Sequence, residues 1–517
     1  MDRVVWLSLA VALTALYWVH LVIYNVFFHP LASFPGPFWA RASFLYPNIW
    51  ASDLANMAYF HWPCSSRHRK STQTSWWALT DPPIHSNIIN PELRLGDIVR
   101  ISPNELSFAS VESWKAIYQP KSAPLVKSEF YEIYGSGFNS LCIGSERNPE
   151  THSRMRKSLA AAFSTKALLE QEDIIQECVN DFIEEIRSQT TVNVTKWFEM
   201  LAFDILGEMA FGESFHCIEN RKSHFWCDMI EEHLYFITIL DNLRRYPLIA
   251  AIGKTILPHL TVGVRNKHTN YSRRKVAHRL QSSSPRADFM SRLIAKVEDE
   301  EMDMEELTAH ASTLVGGESI AGGETVATFL AAVTYHLLST PNAYQKLRDE
   351  IRARYNHLSE ITSTTALQLP YLQAVISEGL RIYPPGSQGF PRNTPPQGIV
   401  CNGTYVPGNV EVYTSAWTVT HDARYFHDPY TFKPERWLDP NCTDNKDASQ
   451  PFSLGPRGCL GRNFAIVEMS LILCNLHFQF DAELVNPFQK WESASQLHVM
   501  WWKPDLPVRF IPCTRDH

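Results

Sequence analysis

The sequence predicts a mainly α fold with a small β portion, preceded by one N-terminal transmembrane helix. Three observations predict it: a single long uncharged apolar run at the start, helical periodicity through most of the remainder, and only short strand-like pieces bounded by turn residues. Val4 to Phe28 is 25 residues without a charge. At about 1.5 Å per residue such a run crosses a hydrocarbon core of about 30 Å. A cleaved leader would need a basic start and an apolar stretch of about 7–15 residues. Here Asp2 and Arg3 cancel and the run is longer, so residues 1–28 are expected to be retained as an anchor.

His29-Pro30-Leu31-Ala32-Ser33-Phe34-Pro35-Gly36-Pro37 follows. Its prolines forbid helix continuation. Residues 29–45 therefore read as a stiff hinge carrying a body of residues 46–517. In that body, Glu172 to Ser188 places Ile174, Ile175, Cys178, Val179, Phe182, Ile183 and Ile186 on one helical face. Trp197 to Phe211 and Cys227 to Leu243 look similar. Ile98 to Ser102, Gly398 to Val406 and Val410 to Ser415 read as strands, with Asn402-Gly403 and Pro407-Gly408 as turns. Residues 61–94 show neither periodicity, and read as a long loop.

Across 517 residues, hydrophobic residues make up 45% and charged residues 20%, which excludes a disordered or fibrous chain. A net charge of −7 lacks the basic excess of a nucleic-acid binder. The 10 cysteines are scattered without a C-x-x-C pair, which argues against a structural zinc cluster or a disulfide scaffold.

One cysteine stands in a special context. Phe452-Ser453-Leu454-Gly455-Pro456-Arg457-Gly458-Cys459-Leu460-Gly461 makes a tight loop before an amphipathic helix of about Leu460 to Leu476. A cysteine at a helix N-terminus favours the thiolate, which is a good axial ligand for haem iron. Arg457 is a candidate partner for a haem propionate. The pattern F-x-x-G-x-R-x-C-x-G resembles the haem-binding signature of the cytochrome P-450 monooxygenases at every fixed position.

Other segments carry the resemblance further. Pro370 to Tyr383 reads as a helix on which Glu378 and Arg381 share a face, and Phe432-Lys433-Pro434-Glu435-Arg436-Trp437 is similar to the family's F-x-P-E-R-W segment. The resemblance implies a buried structural triad of Glu378, Arg381 and Arg436, and a propionate-binding role for Arg392. Asp303 is a candidate cap, with Glu306 as capping-box partner, for a helix running to about Ser339. Gly316-Gly317 and Gly322-Gly323 inside it read either as a loop splitting two helices or as a bend that admits a ligand. Ala321-Gly322-Gly323-Glu324-Thr325 resembles the family's A/G-G-x-D/E-T element, which implies that Thr325 hydrogen-bonds the oxygen and Glu324 relays protons. Val326 stands where many members carry a second hydroxyl. His152 and Arg156 have the spacing of the family's propionate-binding Trp-x-x-x-Arg, with His in place of Trp.

The resemblance implies the cytochrome P-450 fold, haem b (iron protoporphyrin IX) bound through Cys459 with Arg457, Arg392, His152, Arg156 and Phe452 around it, and insertion of one oxygen atom of O2 into a lipophilic small molecule. With no flavin or nicotinamide motif in the chain, it also implies a membrane-bound NADPH-cytochrome P-450 reductase as electron donor. The hinge and Pro384-Pro385 favour a eukaryotic, membrane-bound member in the style of fungal secondary-metabolism enzymes, single-pass in the endoplasmic reticulum with its catalytic domain facing the cytosol. Residues 61–94 depart from the family and read as an insertion or a gene-model error. Candidate substrate-pocket segments are 107–140, 205–250, 386–390 and 493–497. Two other functions fit the chain: an electron-independent haem isomerase or dehydratase, against which Glu324-Thr325 argues, and a membrane-tethered haem-binding or scaffold protein.

Overall fold

Cap residues and prolines set where the helices begin. The computed structural model describes residues 3–42, 96–120, 123–135, 138–227, 240–241, 244–245, 266–281, 288–315, 323–387, 389–498 and 500–513. The 61–94 segment, Gly316-Gly317, Ala321-Gly322 and most of Cys227 to Leu243 lie outside these. The chain forms two compact units, the first drawing on Met1–Ser128, Phe236–Leu257 and Gln388–Val419, the second on Glu129–Tyr235, Pro258–Ser387 and Thr420–His517.

The first unit opens with the helix Arg3–Ile23, which runs into a π turn, Tyr24–Phe28. Val11–Phe28 is long and apolar enough to cross a membrane, and only 11% of it is buried. The proline-rich segment after it docks on the strand Ile98–Ser102. Arg100 N–H donates to Pro35 O at 2.7 Å, and its buried guanidinium donates to Asn25 O at 2.8 Å, Leu31 O at 3.2 Å and Pro103 O at 2.7 Å. A Cβ at Gly36 would lie 2.1 Å from Arg100 O, so only glycine lets the hinge approach this closely. The stiffness expected from the prolines is thus joined by anchoring to the sheet.

That sheet has five strands, in the order Ile98–Ser102, Glu105–Phe108, Glu411–Thr414, Arg392–Asn393 and Val126–Lys127. Glu105–Phe108 and Glu411–Thr414 run parallel, and the other pairs are antiparallel. The stretch expected to be one strand over 398–406 is instead a hairpin, Ile399–Cys401 with Thr404–Val406. Asn402 and Gly403 both have positive φ, as a two-residue hairpin turn requires, so the turn residues split the strand rather than bound it.

The second unit is mainly helical. Asn148 caps Pro149–Ala160 through the N–H groups of Glu150 and Thr151, with proline at the first helical position. Glu172–Gln189 buries the apolar face read from the sequence, apart from half-buried Cys178. Val194–Phe211 is buried on nearly every side and ends at Gly212 in the left-handed conformation. Asp303 caps Met304–Val315 by accepting from Glu306 N–H at 2.7 Å. The expected capping box is not completed, because the Glu306 carboxylate pairs with Arg154 at 3.0 and 2.8 Å. A guanidinium offers two parallel charge-assisted bonds, which a single backbone N–H cannot match.

Gly323–Ser339 is buried on nearly every side, as befits a helix at the centre of a core. It packs Gly323 against Ala202 and Leu206 of Val194–Phe211. On its other flank it meets Pro370–Ile382, where a Cβ at Gly379 would lie 2.7 Å from the Phe329 ring. The last long helix, Arg462–Gln479, leads into an antiparallel sheet in the order Thr191–Asn193, Pro507–Pro512, Phe480–Leu484. A hairpin, Gln496–His498 with Met500–Trp502, precedes the final strand.

Candidate haem site

The loop before Arg462–Gln479 is built to present one sulfur. Ser453 and Gly455 take positive φ, and Gly455–Arg457 forms a single tight turn. Cys459 N–H donates to Phe452 O at 2.8 Å, closing the loop. The helix starts at Arg462 rather than at about Leu460, so Cys459 stands just ahead of its first turn. Among the described cysteines Cys459 alone is exposed. Desolvation by the surrounding chain raises the thiol above its ordinary pKa, against the Gly461 N–H, Arg156 and Arg462, which lower it. These groups act in the direction expected at a helix end, but burial outweighs them. A coordinated metal would supply what is missing, because it deprotonates a ligating thiol outright.

Cations ring the loop. Arg156 Nη1 donates to Gly458 O at 2.6 Å, one residue from the sulfur. Its pKa is lowered by burial, against the attraction of Cys459. His152, one turn earlier on the same helix, is buried. Arg457 donates to Glu146 O at 3.0 Å and Arg147 O at 2.8 Å, so it ties the cysteine loop to the chain just before the Asn148 cap. The Arg462 guanidinium lies 5.7 Å from the Phe452 ring centroid. Sequence reasoning named Phe452, Arg457, Cys459, Arg156 and His152; the structure gathers Phe452, Cys459, Arg457 and Arg156 on one loop-and-helix junction and adds Arg462. An accessible thiol among fixed guanidinium groups suits an iron porphyrin with two carboxylates, and in this sense the residues present fit a haem. Arg392 belongs to the first unit, where its guanidinium donates to Pro391 O at 3.0 Å and lies 5.4 Å from the Tyr118 ring centroid.

Glu324 and Thr325 occupy the first turn of Gly323–Ser339. The Glu324 carboxylate accepts from Thr328 Oγ1 at 3.2 Å and forms a short ion pair with Lys503. Lys503 was not foreseen: it lies far along the chain, in a Trp-Trp-Lys-Pro stretch that carries no signal of its own. Burial would lower its pKa, but Glu324 and Glu199 outweigh burial and raise it.

Glu378, Arg381 and Arg436 meet as the resemblance implies, in a completely enclosed site. Glu378 accepts from Arg381 Nε and Nη2 at 2.8 Å each, from Arg436 Nε at 3.2 Å, from Lys433 N–H at 2.9 Å and from Trp437 Nε1 at 3.0 Å. Arg381 donates further to Thr420 O at 2.9 Å and Pro429 O at 2.7 Å. A fourth member, Asp444, closes the charge balance through a short pair with Arg436. Burial alone would raise Asp444, but the His427 N–H and Arg436 hold it below the ordinary carboxylate range. Asp444 was missed because its partner, Arg436, lies on another turn and no motif spacing links them.

One carboxyl on Arg462–Gln479 has no such compensation. Glu468 is buried, its Oε1 has no hydrogen-bond partner among the described residues, and burial pushes its pKa up to about 8. A raised folded-state pKa means that the unfolded chain ionises first. Stability is full below the ordinary glutamate value of about 4.5 and falls as pH rises towards 8. Glu468→Gln is expected to raise stability at pH 7 by about 3 kcal/mol and to flatten that slope. Denaturation midpoints of the haem-loaded protein across this range check it; an unchanged slope would show that Glu468 ionises freely in the fold.

Comparison with known proteins agrees with the geometry. The family model described as Cytochrome P450 matches residues 125–507. The chain is 52% identical over 501 residues to "Cytochrome P450 monooxygenase ORF9" of Penicillium roqueforti, covering 96% of this chain and 92% of that protein. It is 49% identical over 497 residues to "Cytochrome P450 monooxygenase BOT4" of Botryotinia fuckeliana, covering 94% and 88%. It is 33% identical over 511 residues to "Trichothecene C-15 hydroxylase" of Fusarium sporotrichioides, covering 96% of each. With an accessible cysteine on an arginine-clamped loop, a buried charge-balanced quartet and relatives that span nearly its whole length, this chain belongs to the cytochrome P450 family, as a monooxygenase.

Proposed function

We propose that the enzyme carries haem b through Cys459, receives electrons from NADPH-cytochrome P-450 reductase, and hydroxylates a lipophilic small molecule in a fungal secondary-metabolite pathway. The exposed Cys459 thiol among Arg156, Arg457 and Arg462 is the single observation that carries this reading. When bound, the haem supplies the reductive activation of dioxygen. Arg156, Arg457 and His152 would hold its carboxylates, with Phe452 packed at the loop. Thr325 donates a hydrogen bond on the oxygen side, and Glu324 passes protons to it. Glu378, Arg381 and Arg436 fix the frame behind the cysteine loop. Val11–Phe28 anchors the protein in the endoplasmic reticulum, with the body facing the cytosol. A relative named as a C-15 hydroxylase supports hydroxylation as the reaction form.

The first test is the absorbance of the reduced, carbon-monoxide-treated protein, followed by NADPH oxidation with added reductase. A strongly red-shifted band and reductase-dependent NADPH use are expected. NADPH use that does not respond to the reductase overturns the electron-donor assignment. Metabolite profiling of a strain lacking the gene then identifies the substrate. With that substrate, Thr325→Ala is expected to release several-fold more peroxide per NADPH oxidised while product falls; unchanged coupling would remove Thr325 from proton delivery.

A further inference from the structure

We infer that Lys503 is a positioning residue for Glu324, and that Lys196, Glu199 and Lys503 form a charged chain linking the protein surface to that acid. The inference rests on the reading of Glu324 as the proton-passing group. Lys503 is only 2% exposed, and its ammonium is enclosed by oxygen. Besides Glu324, it meets Thr328 Oγ1 at 3.1 Å, Glu199 Oε1 at 3.4 Å and Trp501 O at 3.4 Å. A buried ammonium is costly unless it is paired and hydrogen-bonded, so this set of partners fixes where the charge sits.

The segment carrying Lys503 is itself pinned on both sides. Trp501 Nε1 donates to Pro384 O at 2.9 Å. Pro504 O accepts from Thr195 Oγ1 at 3.0 Å and Trp491 Nε1 at 2.8 Å, and Leu506 N–H donates to Asn193 Oδ1 at 2.9 Å. The ammonium is thus held by the framework, and the glutamate must orient to it. Glu199, on Val194–Phe211, shares Lys503 and pairs at 3.1 Å with Lys196, whose side chain is 41% exposed. Two carboxylates and two ammonium groups cancel along this line, which runs from solvent through two buried members to the first turn of Gly323–Ser339. Cys227, hydrogen-bonded to Cys217, also faces Glu199 and Glu324, and its thiol is held neutral by that bond and by burial. Asp204 of the same helix is occupied by the Cys217 and Ile218 N–H groups, at 2.9 Å each.

An ion pair that served stability alone would leave the titration of Glu324 irrelevant to turnover. A positioning cation makes a different prediction. Removing an opposite charge at this range moves a carboxyl pKa up by about 1–3 units. In pH-dependent infrared spectra of the resting haem-loaded enzyme, the protonated-carboxyl band is identified by its loss in Glu324→Gln. Its midpoint is expected to rise by at least about one unit in Lys503→Met and to return in Lys503→Arg. With added reductase, Lys503→Met is expected to release more peroxide per NADPH than wild type, and Lys503→Arg to restore the wild-type value. Should Lys503→Met fail to hold haem, Lys503→Met with Glu199→Gln removes one charge of each sign and carries the same measurement. A band that does not move, or a Lys503→Arg enzyme as leaky as Lys503→Met, overturns the role of Lys503. A Glu324→Gln enzyme with normal peroxide release instead overturns the reading of Glu324 on which the inference stands.

Discussion

Cys459→Ala is expected to abolish the red-shifted band of the reduced, carbon-monoxide-treated protein. The argument is that the substitution removes the donor atom and leaves its support standing. The loop is closed by Cys459 N–H on Phe452 O and by Gly458 N–H on Gly455 O, both backbone bonds that alanine keeps. Arg156 holds the Gly458 carbonyl, and Arg457 holds the carbonyls of Glu146 and Arg147, none of which involves the sulfur. Loss of the band in a protein that still unfolds cooperatively would therefore report on ligation rather than collapse. Cys459→Ser sharpens the test, because it keeps the volume and polarity but replaces a soft thiolate by a hard, weakly acidic oxygen. It too is expected to lose the band. If either variant retained it, another thiol would be the ligand, and the half-buried Cys442 and Cys178 would be the next to replace.

The sequence made the chemistry of single positions more legible than their partnerships. Helical periodicity located Glu172–Gln189 almost to the residue, because one apolar face meets the core and the opposite face meets solvent. Gly323–Ser339 offers little such contrast, being buried on nearly every side, and its expected extent rested on the Asp303 cap and a pattern running to about Ser339. The Gly398 to Val406 stretch misled because strand propensity is blind to a two-residue turn inside it, even though Asn-Gly was in plain view. Cys459 and Arg457 were named from the residues of their own loop, and Arg156 from the family resemblance. Lys503, Glu199, Asp444 and Arg462 were not, because their roles come from where the fold carries them: a lysine in a C-terminal hairpin region meets a glutamate 179 positions earlier only after the helices have packed. The balance of effects at the Cys459 thiol is a related case. The helix begins after the cysteine, and the desolvation imposed by the surrounding chain is a tertiary quantity.

Glu378→Gln is expected to destabilise the fold by about 3–5 kcal/mol, enough to deplete the haem-loaded protein in the cell. Its carboxylate is the one ion-pair partner of Arg381 among the described residues and shares Arg436 with Asp444, all at side-chain exposures of 4% or less. Neutralising it leaves two guanidinium groups in the interior against one carboxylate. It also weakens five hydrogen bonds at once, from Arg381 twice, Arg436, Lys433 and Trp437, and an amide can accept at only one of its two ends. Asp444→Asn should cost less, since Arg436 would keep Glu378 and the His427 carbonyl at 3.0 Å. The double variant Glu378→Leu with Arg381→Leu separates charge imbalance from packing. It removes a matched pair and leaves Arg436 with Asp444, so it is expected to recover part of what the single variant loses. The recovery should be incomplete, because the Thr420 and Pro429 carbonyls lose their donor. Haem content and denaturation midpoints of the three variants decide it. A Glu378→Gln protein within about 1 kcal/mol of wild type would mean that water or a shifted side chain reaches this site, and that the quartet does not bear on the stability of the cysteine loop's surroundings.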